Sequence, residues 1–587
     1  MQAETIPELL ESRARETPDQ PAFFTPRAPG AWRAVTWSAF AAQSERLGRA
    51  LDRSGVRHGA RVAILGRTSI EWEQAQQAAL RLGATVIGVD PNYPPETLAA
   101  ALEATAPEVL VAEDAAALDR IPASVRAGLR LTLTFRAHGA DAAPPAESFA
   151  TLAERFGADG GPLPRGPAPD DPAMVVFSSG TTGTPKAIVY THRQVLLAVG
   201  EILEAFPDIG AGGRLACWLP LANLFQRVIN LCAMARGAAS YVIEDPRGIV
   251  KHLPAVAPQV FIGVPRFFEK VQAGIEERLA ASSPRAQKLV KWALAIGKRV
   301  AEARLADTAP SIGDRALEPL ADVLVLRRLR GVFGGKARYL ISGSAPMPLW
   351  LLEWFEAIGL PVFEAYGVSE NIVPVAMNRP GARRLGTVGK PMRGNEVKLG
   401  ADGEVLVRGA GVFRGYLGSE SPRPDAEGYW ATGDLGELTA DGYLRLTGRK
   451  SDAFKTAGGR WVVPATVEAA LQRVAYVEHA VLVGSSQVAL CAILNVDPGR
   501  LGGELGAEQR TRIAQDAAGL LSGVPGEMRP AGLLVVTTPF SIATGELTTN
   551  LKLRRVFIAE KFATQLARLR EAARARAEPS VPAVAVA

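Results

Sequence analysis

Cysteine and histidine are scarce in this chain of 587 residues. The three cysteines are Cys217, Cys232 and Cys491, and their spacing matches neither a disulfide framework nor a set of metal ligands. The five histidines are scattered along the chain and indicate no metal site either. A chain with so few cysteines suits a reducing compartment, and we therefore expect a cytoplasmic protein.

Long apolar runs and a strong charge of one sign are also missing. No apolar stretch reaches the roughly 20 residues of a membrane-spanning helix, so we expect no transmembrane segment. The first residues lack the basic start and apolar core of a signal peptide. The formal net charge is only +6, without the concentrated basic stripe and interleaved aromatic residues that nucleic-acid binding requires. We expect small-molecule substrates and no nucleic-acid partner; nothing in the sequence indicates the oligomeric state.

Length and periodicity predict several domains of the α/β class. A chain of this length is too long for one core. Residues 37–115 alternate between helical apolar spacing, as in Trp37 to Ser54, and short apolar runs such as Arg61 to Leu65 and Ala84 to Val89. This alternation is typical of parallel sheets with covering helices.

The expected order is a large N-terminal domain of α/β subdomains over residues 1–448, then a small mobile α+β C-terminal domain over 449–570. Within the first, residues 386–446 are rich in glycine and short alternating strands and predict a β-rich subdomain. The alanine-, arginine- and proline-rich tail from 571 to 587 is expected to be disordered.

The most informative segment follows the apolar run Met174 to Phe177, which predicts a buried strand. It consists of glycines, hydroxyl residues and a lysine, namely Ser178, Ser179, Gly180, Thr181, Thr182, Gly183 and Lys186. Glycines let backbone N–H groups approach an anion, hydroxyls add donors and the lysine adds charge. The spacing differs from the common P-loop, which ends in Gly-Lys-Ser/Thr. The segment therefore predicts a polyphosphate site.

Ser178 to Lys186 closely resembles the phosphate loop of adenylate-forming enzymes, the group of acyl-CoA synthetases, peptide-synthetase adenylation domains and luciferases. The resemblance implies ATP, a carboxylic acid and an acyl-adenylate. Phe363 to Glu370 resembles the family's Tyr-Gly-x-Thr/Ser-Glu motif, which implies that Tyr366 lies against adenine and Glu370 holds Mg²⁺. Ser342 to Pro346 resembles the Ser-Gly-Gly-Ala-Pro turn of the other adenine wall. The nucleotide residues that these two motifs imply are Gly343, Ser344, Ala345, Glu364, Ala365, Tyr366, Gly367 and Ser369.

Three further motifs follow in the family's order. Trp430 to Asp434 and Gly448 to Asp452 imply that Asp434 accepts hydrogen bonds from the ribose hydroxyls and that Arg449 joins it at the ribose or phosphate. Thr548 to Arg554 resembles the C-terminal lysine motif of long-chain acyl-CoA synthetases, which implies that Lys552 bridges the substrate carboxylate and the α-phosphate. Lys552, Lys186 and Glu370 are thus the expected catalytic residues.

The identity of the acyl acceptor and the class of the acid are inferred from weaker resemblances. Phe454 to Pro464 resembles the loop that moves in after adenylation, in which Gly458 and Gly459 would pass close to the pantetheine arm of CoA. Leu219 to Arg227 and Val264 to Lys270 resemble the long-chain branch and favour a bulky lipophilic acid. The expected pocket residues are Trp218, Asn223, Leu224, Phe225, Gly263 and Val264.

Several positions depart from the family pattern. Ala187 replaces a glycine, Asn223 and Gln226 replace a common His and Glu, Ser451 replaces a charged hinge residue and Asn550 replaces a threonine. These departures leave alternatives to an ATP-dependent acyl-CoA ligase for a hydrophobic acid. One is a specialised biosynthetic ligase that makes the thioester from a preformed acyl-adenylate. Others are a donor of the acyl group to a carrier protein and a catalytically silent binding protein.

Overall fold

The computed structural model describes residues 3–28, 31–135, 147–156, 163–179, 185–418, 422–455, 461–474, 476–484, 489–503, 505–541, 543–547, 553–574 and 581–587.

The strands run, in chain order, over β1 (Pro21–Ala28), β2 (Ala31–Thr36), β3 (Arg61–Leu65), β4 (Thr85–Val89), β5 (Val109–Ala112), β6 (Leu131–Thr134), β7 (Glu147–Ser148), β8 (Pro172–Ser179), β9 (Pro185–Thr191), β10 (Arg214–Cys217), β11 (Ala239–Val242), β12 (Val260–Gly263), β13 (Tyr339–Ser342), β14 (Val362–Tyr366), β15 (Ala376–Met377), β16 (Lys390–Pro391), β17 (Asn395–Leu399), β18 (Glu404–Gly409), β19 (Trp430–Leu438), β20 (Leu444–Arg449), β21 (Phe454–Lys455), β22 (Trp461–Val462), β23 (Val477–Val483), β24 (Cys491–Val496), β25 (Gly532–Val536) and β26 (Ala583–Val586).

The α-helices run over α1 (Ile6–Glu16), α2 (Trp37–Arg53), α3 (Ile70–Arg81), α4 (Pro95–Thr105), α5 (Ala115–Asp119), α6 (Ala123–Ala127), α7 (Phe149–Phe156), α8 (His192–Ala205), α9 (Leu224–Arg236), α10 (Ile249–Val256), α11 (Pro265–Ala280), α12 (Pro284–Leu305), α13 (Ile312–Ala321), α14 (Arg327–Arg330), α15 (Leu349–Ala357), α16 (Pro464–Leu471), α17 (Pro498–Leu501), α18 (Ala507–Leu520), α19 (Arg555–Lys561) and α20 (Ala563–Arg574).

Two large sheets carry the first part of the chain, which confirms the predicted α/β class. One has the strand order β16-β15-β14-β13-β12-β10-β11-β1-β2, and the other has the order β7-β6-β5-β3-β4-β8-β9. The central strands β10 to β14 of the first sheet pair in parallel, as do β3, β4, β5 and β8 of the second. Strands β3 and β4 are apolar and almost wholly buried, as expected for parallel strands with both faces covered.

Helix boundaries follow local chemistry. Thr5 caps α1 through a capping box with Glu8, and Thr191 caps α8 through a second one with Gln194. Helix α2 covers nearly the whole of the helix predicted for Trp37 to Ser54, and Thr36 accepts a hydrogen bond from the N–H of Ala39 at its start.

The predicted β-rich subdomain contains a sheet with the order β17-β18-β19-β20. Contacts between Cα atoms divide the chain into two compact units. The first unit comprises Met1–Lys398, Leu406–Trp430 and Ala440–Leu444, and the second comprises Leu399–Val405, Ala431–Thr439 and Arg445–Ala587. The boundary at 448 and the mobility of the C-terminal domain stay predictions.

The second unit contains a four-stranded sheet with the order β23-β24-β25-β26. Strand β24 pairs in parallel with β25, which pairs in parallel with β26. The expectation of a disordered tail from residue 571 is therefore wrong for the part that the structure describes. Helix α20 continues to Arg574, and Ala583–Val586 forms an edge strand because short apolar alanines and valines complete the hydrogen bonds of β25.

Candidate active site

Four neighbouring parallel strands of the first sheet end next to residues that the sequence predicts for the nucleotide and the acid. Because β10, β12, β13 and β14 run in the same direction, their carboxyl ends share one edge of the sheet. The residues that directly follow these ends are Trp218, Val264, Gly343 and Gly367. Open α/β sheets bind their ligands at this edge, so the predicted residues lie where the fold places a site.

The turn after β13 is held by hydrogen bonds that its N–H groups donate to the neighbouring strands β12 and β14. The N–H of Gly343 donates to the carbonyl oxygen of Gly263 over 3.2 Å, and the N–H of Met347 donates to Glu364 Oε1 over 3.1 Å. Burial raises the pKa of the Glu364 carboxyl to about 7, although the hydrogen bond from Met347 acts in the opposite direction. Glu364 thus positions the turn rather than presenting its carboxylate to solvent.

Ser344 lies in this turn with φ of 74°, in the left-handed region that favours glycine. This geometry explains why the family pattern has a second glycine there. Nearby, the hydroxyl of Ser342 is buried and has no hydrogen-bond partner among the residues that the structure describes. An orphan hydroxyl at the end of β13, on the strand that pairs with β14, suits a ligand with polar ring atoms such as adenine.

The predicted phosphate segment joins the two antiparallel strands β8 and β9. Ser178 lies opposite Lys186 in this ladder, and Ser179 lies opposite Pro185. Lys186 therefore sits on a strand, with an exposed side chain, and not within a loop. The predicted residues Gly180, Thr181, Thr182 and Gly183 lie outside the described residues.

Tyr416 brings the phosphate lysine and the predicted metal carboxylate together. Its hydroxyl donates to Glu370 Oε1 over 2.7 Å, and the Lys186 ammonium lies 5.1 Å from the centre of its ring. The Ser178 side chain also hydrogen-bonds to this tyrosine. Burial raises the pKa of the Tyr416 hydroxyl, and the Glu370 carboxylate raises it further, so the tyrosine is a neutral donor. We call Ser178, Lys186, Glu370 and Tyr416 the phosphate cluster.

Sequence reasoning missed Tyr416 and its neighbour Tyr190. The hydroxyl of Tyr190 donates to the carbonyl oxygen of Ser369 over 2.6 Å, and the N–H of Phe413 donates to the carbonyl oxygen of Glu370 over 2.8 Å. These bonds fix the backbone that carries Glu370. The sequence contained one signal, the two glycines that flank Tyr416 in Gly415-Tyr-Leu-Gly418, which indicate a turn. In the structure both glycines have positive φ.

The predicted acid-pocket residues lie in two environments. Trp218 and Gly263 are buried in an aromatic core, where the Trp218 ring stacks on Phe261 and its Nε1 donates to the carbonyl oxygen of Ile262. A side chain at Gly263 would press against three phenylalanine rings. By contrast, the other four predicted residues are partly exposed, three of them at the start of α9 and one directly after β12: Asn223, Leu224, Phe225 and Val264.

Gln226, which replaces a common glutamate, supports the loop before α9. Its Oε1 accepts hydrogen bonds from the N–H groups of Trp218 and Leu219 over 3.3 and 3.2 Å. Its Nε2 donates to Asn230, which in turn donates to the buried carboxylate of Glu73. Because an amide can donate as well as accept, glutamine completes this chain where an ionised glutamate would not. The side chain thus positions the pocket loop.

In the second unit the predicted ribose residues are paired with each other. Arg449 Nε lies 2.9 Å from Asp434 Oδ1, and the Asp434 side chain is only 8% exposed. The neighbouring Lys450 ammonium contacts both Asp402 and Glu404, at 2.7 Å each. We call Asp434 and Arg449 the ribose pair.

Three residues predicted for the C-terminal steps lie outside the described residues: Lys552, Gly458 and Gly459. The chain on either side of the lysine motif is described. Leu547 and Leu553 form an antiparallel bridge, and Glu546 pairs with Lys561. The predicted roles of the three residues stay predictions.

Comparisons with known proteins show the family of the chain. A protein-family model described as AMP-binding enzyme matches residues 10–417. The chain belongs to the AMP-binding enzyme family. It is 30% identical to "Long-chain-fatty-acid--CoA ligase FadD15" of Mycobacterium tuberculosis over 96% of each chain. It is 25% identical to "Long-chain-fatty-acid--CoA ligase ACSBG2" of Mus musculus, over 96% of this chain and 92% of the other.

Solved structures share the fold of this AMP-binding enzyme. The anthranilate CoA ligase AuaEII, solved with anthranoyl-AMP, matches with a TM-score of 0.74 and 21% identity over 96% of this chain and 98% of the other. The A-PCP didomain of carboxylic acid reductase from Segniliparus rugosus, solved with AMP, matches with a TM-score of 0.76 and 20% identity over 97% and 83%. The family and the fold predicted from the motifs are confirmed.

Glu370 suits a magnesium ion held mainly by substrate. In the part of the chain that the structure describes, no group of three or more His, Cys, Asp or Glu side chains forms a metal cage. Mg²⁺ prefers one or two carboxylates together with water and substrate phosphates. The single partly buried carboxylate of Glu370, which shares the contact residue Tyr416 with Lys186, fits that preference. Among the helices described for this AMP-binding enzyme, none is long and apolar enough to span a membrane.

Proposed function

We propose that this AMP-binding enzyme is an ATP-dependent acyl-CoA ligase that activates a bulky or long-chain hydrophobic carboxylic acid. It would first form an acyl-adenylate and then a thioester with CoA. The observation that carries the proposal is the phosphate cluster, in which one tyrosine contacts both a lysine and a carboxylate. The two relatives named above as long-chain ligases support the choice of acid, since the alignments span nearly the whole chain.

In this proposal Lys186 and the Ser178 hydroxyl bind the phosphates of ATP, and Glu370 holds Mg²⁺. When bound, the ion neutralises charge on the phosphate oxygens. The Ser342–Met347 turn and Tyr366 border the adenine, while the ribose pair binds the sugar hydroxyls. Phosphate-binding residues of this kind act mainly by positioning and electrostatics.

The chemistry then needs no protein nucleophile. The carboxylate of the acid is ionised at neutral pH and attacks the α-phosphorus, so that an acyl–phosphate bond forms and pyrophosphate leaves. Lys552 would offset the repulsion between the two anions. In the second step the CoA thiol attacks the acyl carbon and AMP leaves, with Gly458 and Gly459 beside the pantetheine arm.

The partly exposed residues at the start of α9 and after β12 would contact the acid. Three of the four, Leu224, Phe225 and Val264, are apolar, and the fourth is Asn223. The Gln226 hydrogen bonds keep the preceding loop in place, so this departure from the family pattern is compatible with acid binding.

The test separates the two half-reactions. The purified chain is incubated with ATP, Mg²⁺ and a panel of short, long and aromatic acids, and pyrophosphate release and thioester are measured with and without CoA. We expect acid-dependent pyrophosphate exchange without CoA and thioester with it, both greatest for long-chain acids. Thioester formed only from synthetic acyl-adenylate would support the specialised ligase instead, and acylation of a carrier protein but not of CoA would support the carrier donor.

Lys552→Ala sharpens the assignment of the first step. We expect it to abolish most of the adenylation and to spare most of the thioester formation from synthetic acyl-adenylate. Lys251→Ala, at an exposed lysine of α10, is the control and should leave both steps unchanged. Equal losses in both steps would contradict the proposed role of Lys552.

A further inference from the structure

A buried polar network connects a helix of each large sheet. Helix α3 links β3 to β4 in the second sheet, and α9 links β10 to β11 in the first. Arg227 Nε of α9 donates to Gln76 Oε1 of α3 over 2.6 Å. Asn230 Nδ2 of α9 donates to Glu73 Oε1 of α3, also over 2.6 Å. All four side chains are at most 4% exposed, so the network lies inside the protein.

Groups that can only donate stand at both ends of the network and fix the direction of every amide in it. At one end, Gln226 Oε1 accepts from two backbone N–H groups, so its NH2 group faces Asn230. The NH2 group of Asn230 then faces Glu73. At the other end, Gln76 Oε1 accepts from Arg227, so its NH2 group donates to Glu73 Oε2 over 3.1 Å. Both chains of hydrogen bonds therefore end at one carboxyl group.

Glu73 accepts at both oxygens, which is the property of the carboxylate form. Burial raises the pKa of its carboxyl group, while the hydrogen bond from Asn230 and the charge of Arg227 act in the opposite direction. Burial also lowers the pKa of the Arg227 guanidinium to about 9, against the influence of Glu73. A glutamine at position 73 would have one oxygen and one NH2 group and would accept from only one of the two chains.

The network ends at a segment that carries three of the predicted acid residues. We call this segment, residues 219–225, the acid loop. Its first N–H group donates to Gln226 over 3.2 Å, and its first carbonyl oxygen accepts from the hydroxyl of Thr68 over 2.7 Å. A Cβ at Gly88 of β4 would lie 2.7 Å from the carbonyl oxygen of Ala222. The loop is therefore held by side chains of both sheets and lies directly against the second.

The far end of the acid loop borders the turn after β13. A Cβ at Gly343 would lie 3.7 Å from the Phe225 ring. In the proposed reaction the acid has to meet the nucleotide next to this turn. A displacement of the acid loop would therefore change the place where the acid binds.

We propose that Glu73 and Asn230 are positioning residues for the acid, which act through Gln226 to hold the acid loop. This inference rests on the proposed function, since it concerns the acid of the same reaction. Among the residues that the structure describes, the network forms no hydrogen bond with the turn after β13 or with the phosphate cluster. Its loss should therefore weaken binding of the acid more than binding of ATP.

The first measurement is amide hydrogen exchange, which needs no turnover. In Asn230→Leu and in Glu73→Gln, the peptide with the Trp218 and Leu219 amides should exchange at least about tenfold faster than in the wild type, because the acceptor of these amides loses its support. The second measurement is binding of hexadecanoate and of ATP by calorimetry. The Kd for hexadecanoate should rise about tenfold, the scale of one lost buried hydrogen bond, and the Kd for ATP less than about twofold.

Gln77→Leu is the matched control. Gln77 is a buried amide of the same helix, and its side chain has no hydrogen-bond partner in the described part of the chain. This variant should keep the wild-type exchange and the wild-type affinity for hexadecanoate. Thermal unfolding checks that each variant is folded, and Glu73→Gln, which keeps the side-chain shape, decides the test if Asn230→Leu does not fold.

Unchanged exchange of the Trp218 and Leu219 amides in Glu73→Gln would overturn the proposal. Equal losses of affinity for hexadecanoate and ATP would also overturn it, as would the same losses in Gln77→Leu, since either result would indicate a general effect on folding. A wild type that binds no hydrophobic acid would refute this proposal together with the proposed function. A wild type that binds hexadecanoate but forms no adenylate would contradict the proposed function alone, and exchange and affinity would still decide the role of the network.

Discussion

The phosphate cluster in the first unit and the ribose pair in the second hold their charges in different ways. Lys186 and Glu370 each contact Tyr416, and neither forms an ion pair with any residue that the structure describes. Asp434 and Arg449 contact each other directly at 2.9 Å. Charges without a counter-ion are ready to take up a phosphate and a metal ion, whereas a compensated pair suits neutral hydroxyl groups.

The difference suggests what each region contributes. A neutral tyrosine can fix the position of a carboxylate without acting as its counter-ion, so Glu370 is available to a cation. An arginine paired with a nearly buried aspartate compensates its charge and holds its orientation, which favours acceptance of hydrogen bonds from two hydroxyl groups. Four substitutions test this comparison, in order of decreasing expected effect.

Glu370→Gln removes the free charge of the phosphate cluster and keeps the side-chain shape. We expect pyrophosphate exchange to fall about a hundredfold, the scale of losing one main electrostatic contact, and the Mg²⁺ requirement to rise. The exchange rate is measured at increasing Mg²⁺ concentrations, which gives both its maximum and the Mg²⁺ concentration that it requires. Calorimetry measures ATP binding over the same Mg²⁺ concentrations. Glu353→Gln, at an exposed glutamate of α15, is the control and should behave as the wild type. An unchanged Mg²⁺ requirement in Glu370→Gln would contradict the proposal that Glu370 holds the metal ion.

Asp434→Asn breaks the compensated pair and leaves Arg449 alone. We expect the KM for ATP to rise about tenfold, because a hydrogen bond to a charged group contributes about 1.5–3 kcal/mol. In Arg449→Gln the Mg²⁺ requirement should stay at its wild-type level, unlike in Glu370→Gln. In the double variant Asp434→Asn, Arg449→Gln the KM for ATP should rise by less than the product of the two single rises, since the two residues act as a unit. A rise equal to that product would show that they act separately.

The sequence predicted the strands better than the contacts between distant segments. Buried parallel strands such as Arg61–Leu65 and Val260–Gly263 appear as unbroken apolar runs, so their positions follow from local pattern. The motif residues of the strand ends also came from the sequence. Tyr416 did not, because its partners Lys186 and Glu370 lie far away in the chain and only the fold brings them together.

The edge strand β26 shows the same limit. Its alanines and valines form too short a run to indicate a strand, and only the hydrogen bonds of β25 give them that structure. Likewise, the sequence identified Gln226 as a departure but did not indicate its partners, since hydrogen bonds to the N–H groups of Trp218 and Leu219 depend on where the loop folds.

Tyr416→Phe removes one hydroxyl from the phosphate cluster and keeps the ring beneath Lys186. We expect pyrophosphate exchange to fall about fivefold to tenfold, the scale of one net hydrogen bond, with a smaller rise in the Mg²⁺ requirement than in Glu370→Gln. Tyr339→Phe is a matched control, because its hydroxyl donates to Asp208 over 2.8 Å at the other end of β13. Equal loss in both variants would mean that the Tyr416 hydroxyl supports only folding.

Ser344→Gly should have the smallest effect, and on stability rather than on charge. A side chain at φ of 74° is strained, and glycine relieves that strain while adding freedom to the unfolded chain. We expect the free energy of unfolding to rise by about 0.5–1 kcal/mol, measured by urea titration, with the Mg²⁺ requirement unchanged. Ser344→Ala keeps the strain and should give no such gain. An equal gain in both variants would show that loss of the serine hydroxyl, and not relief of the backbone angle, stabilises the turn. The hydroxyl of Ser344 would then be a polar group that costs stability in the unliganded protein.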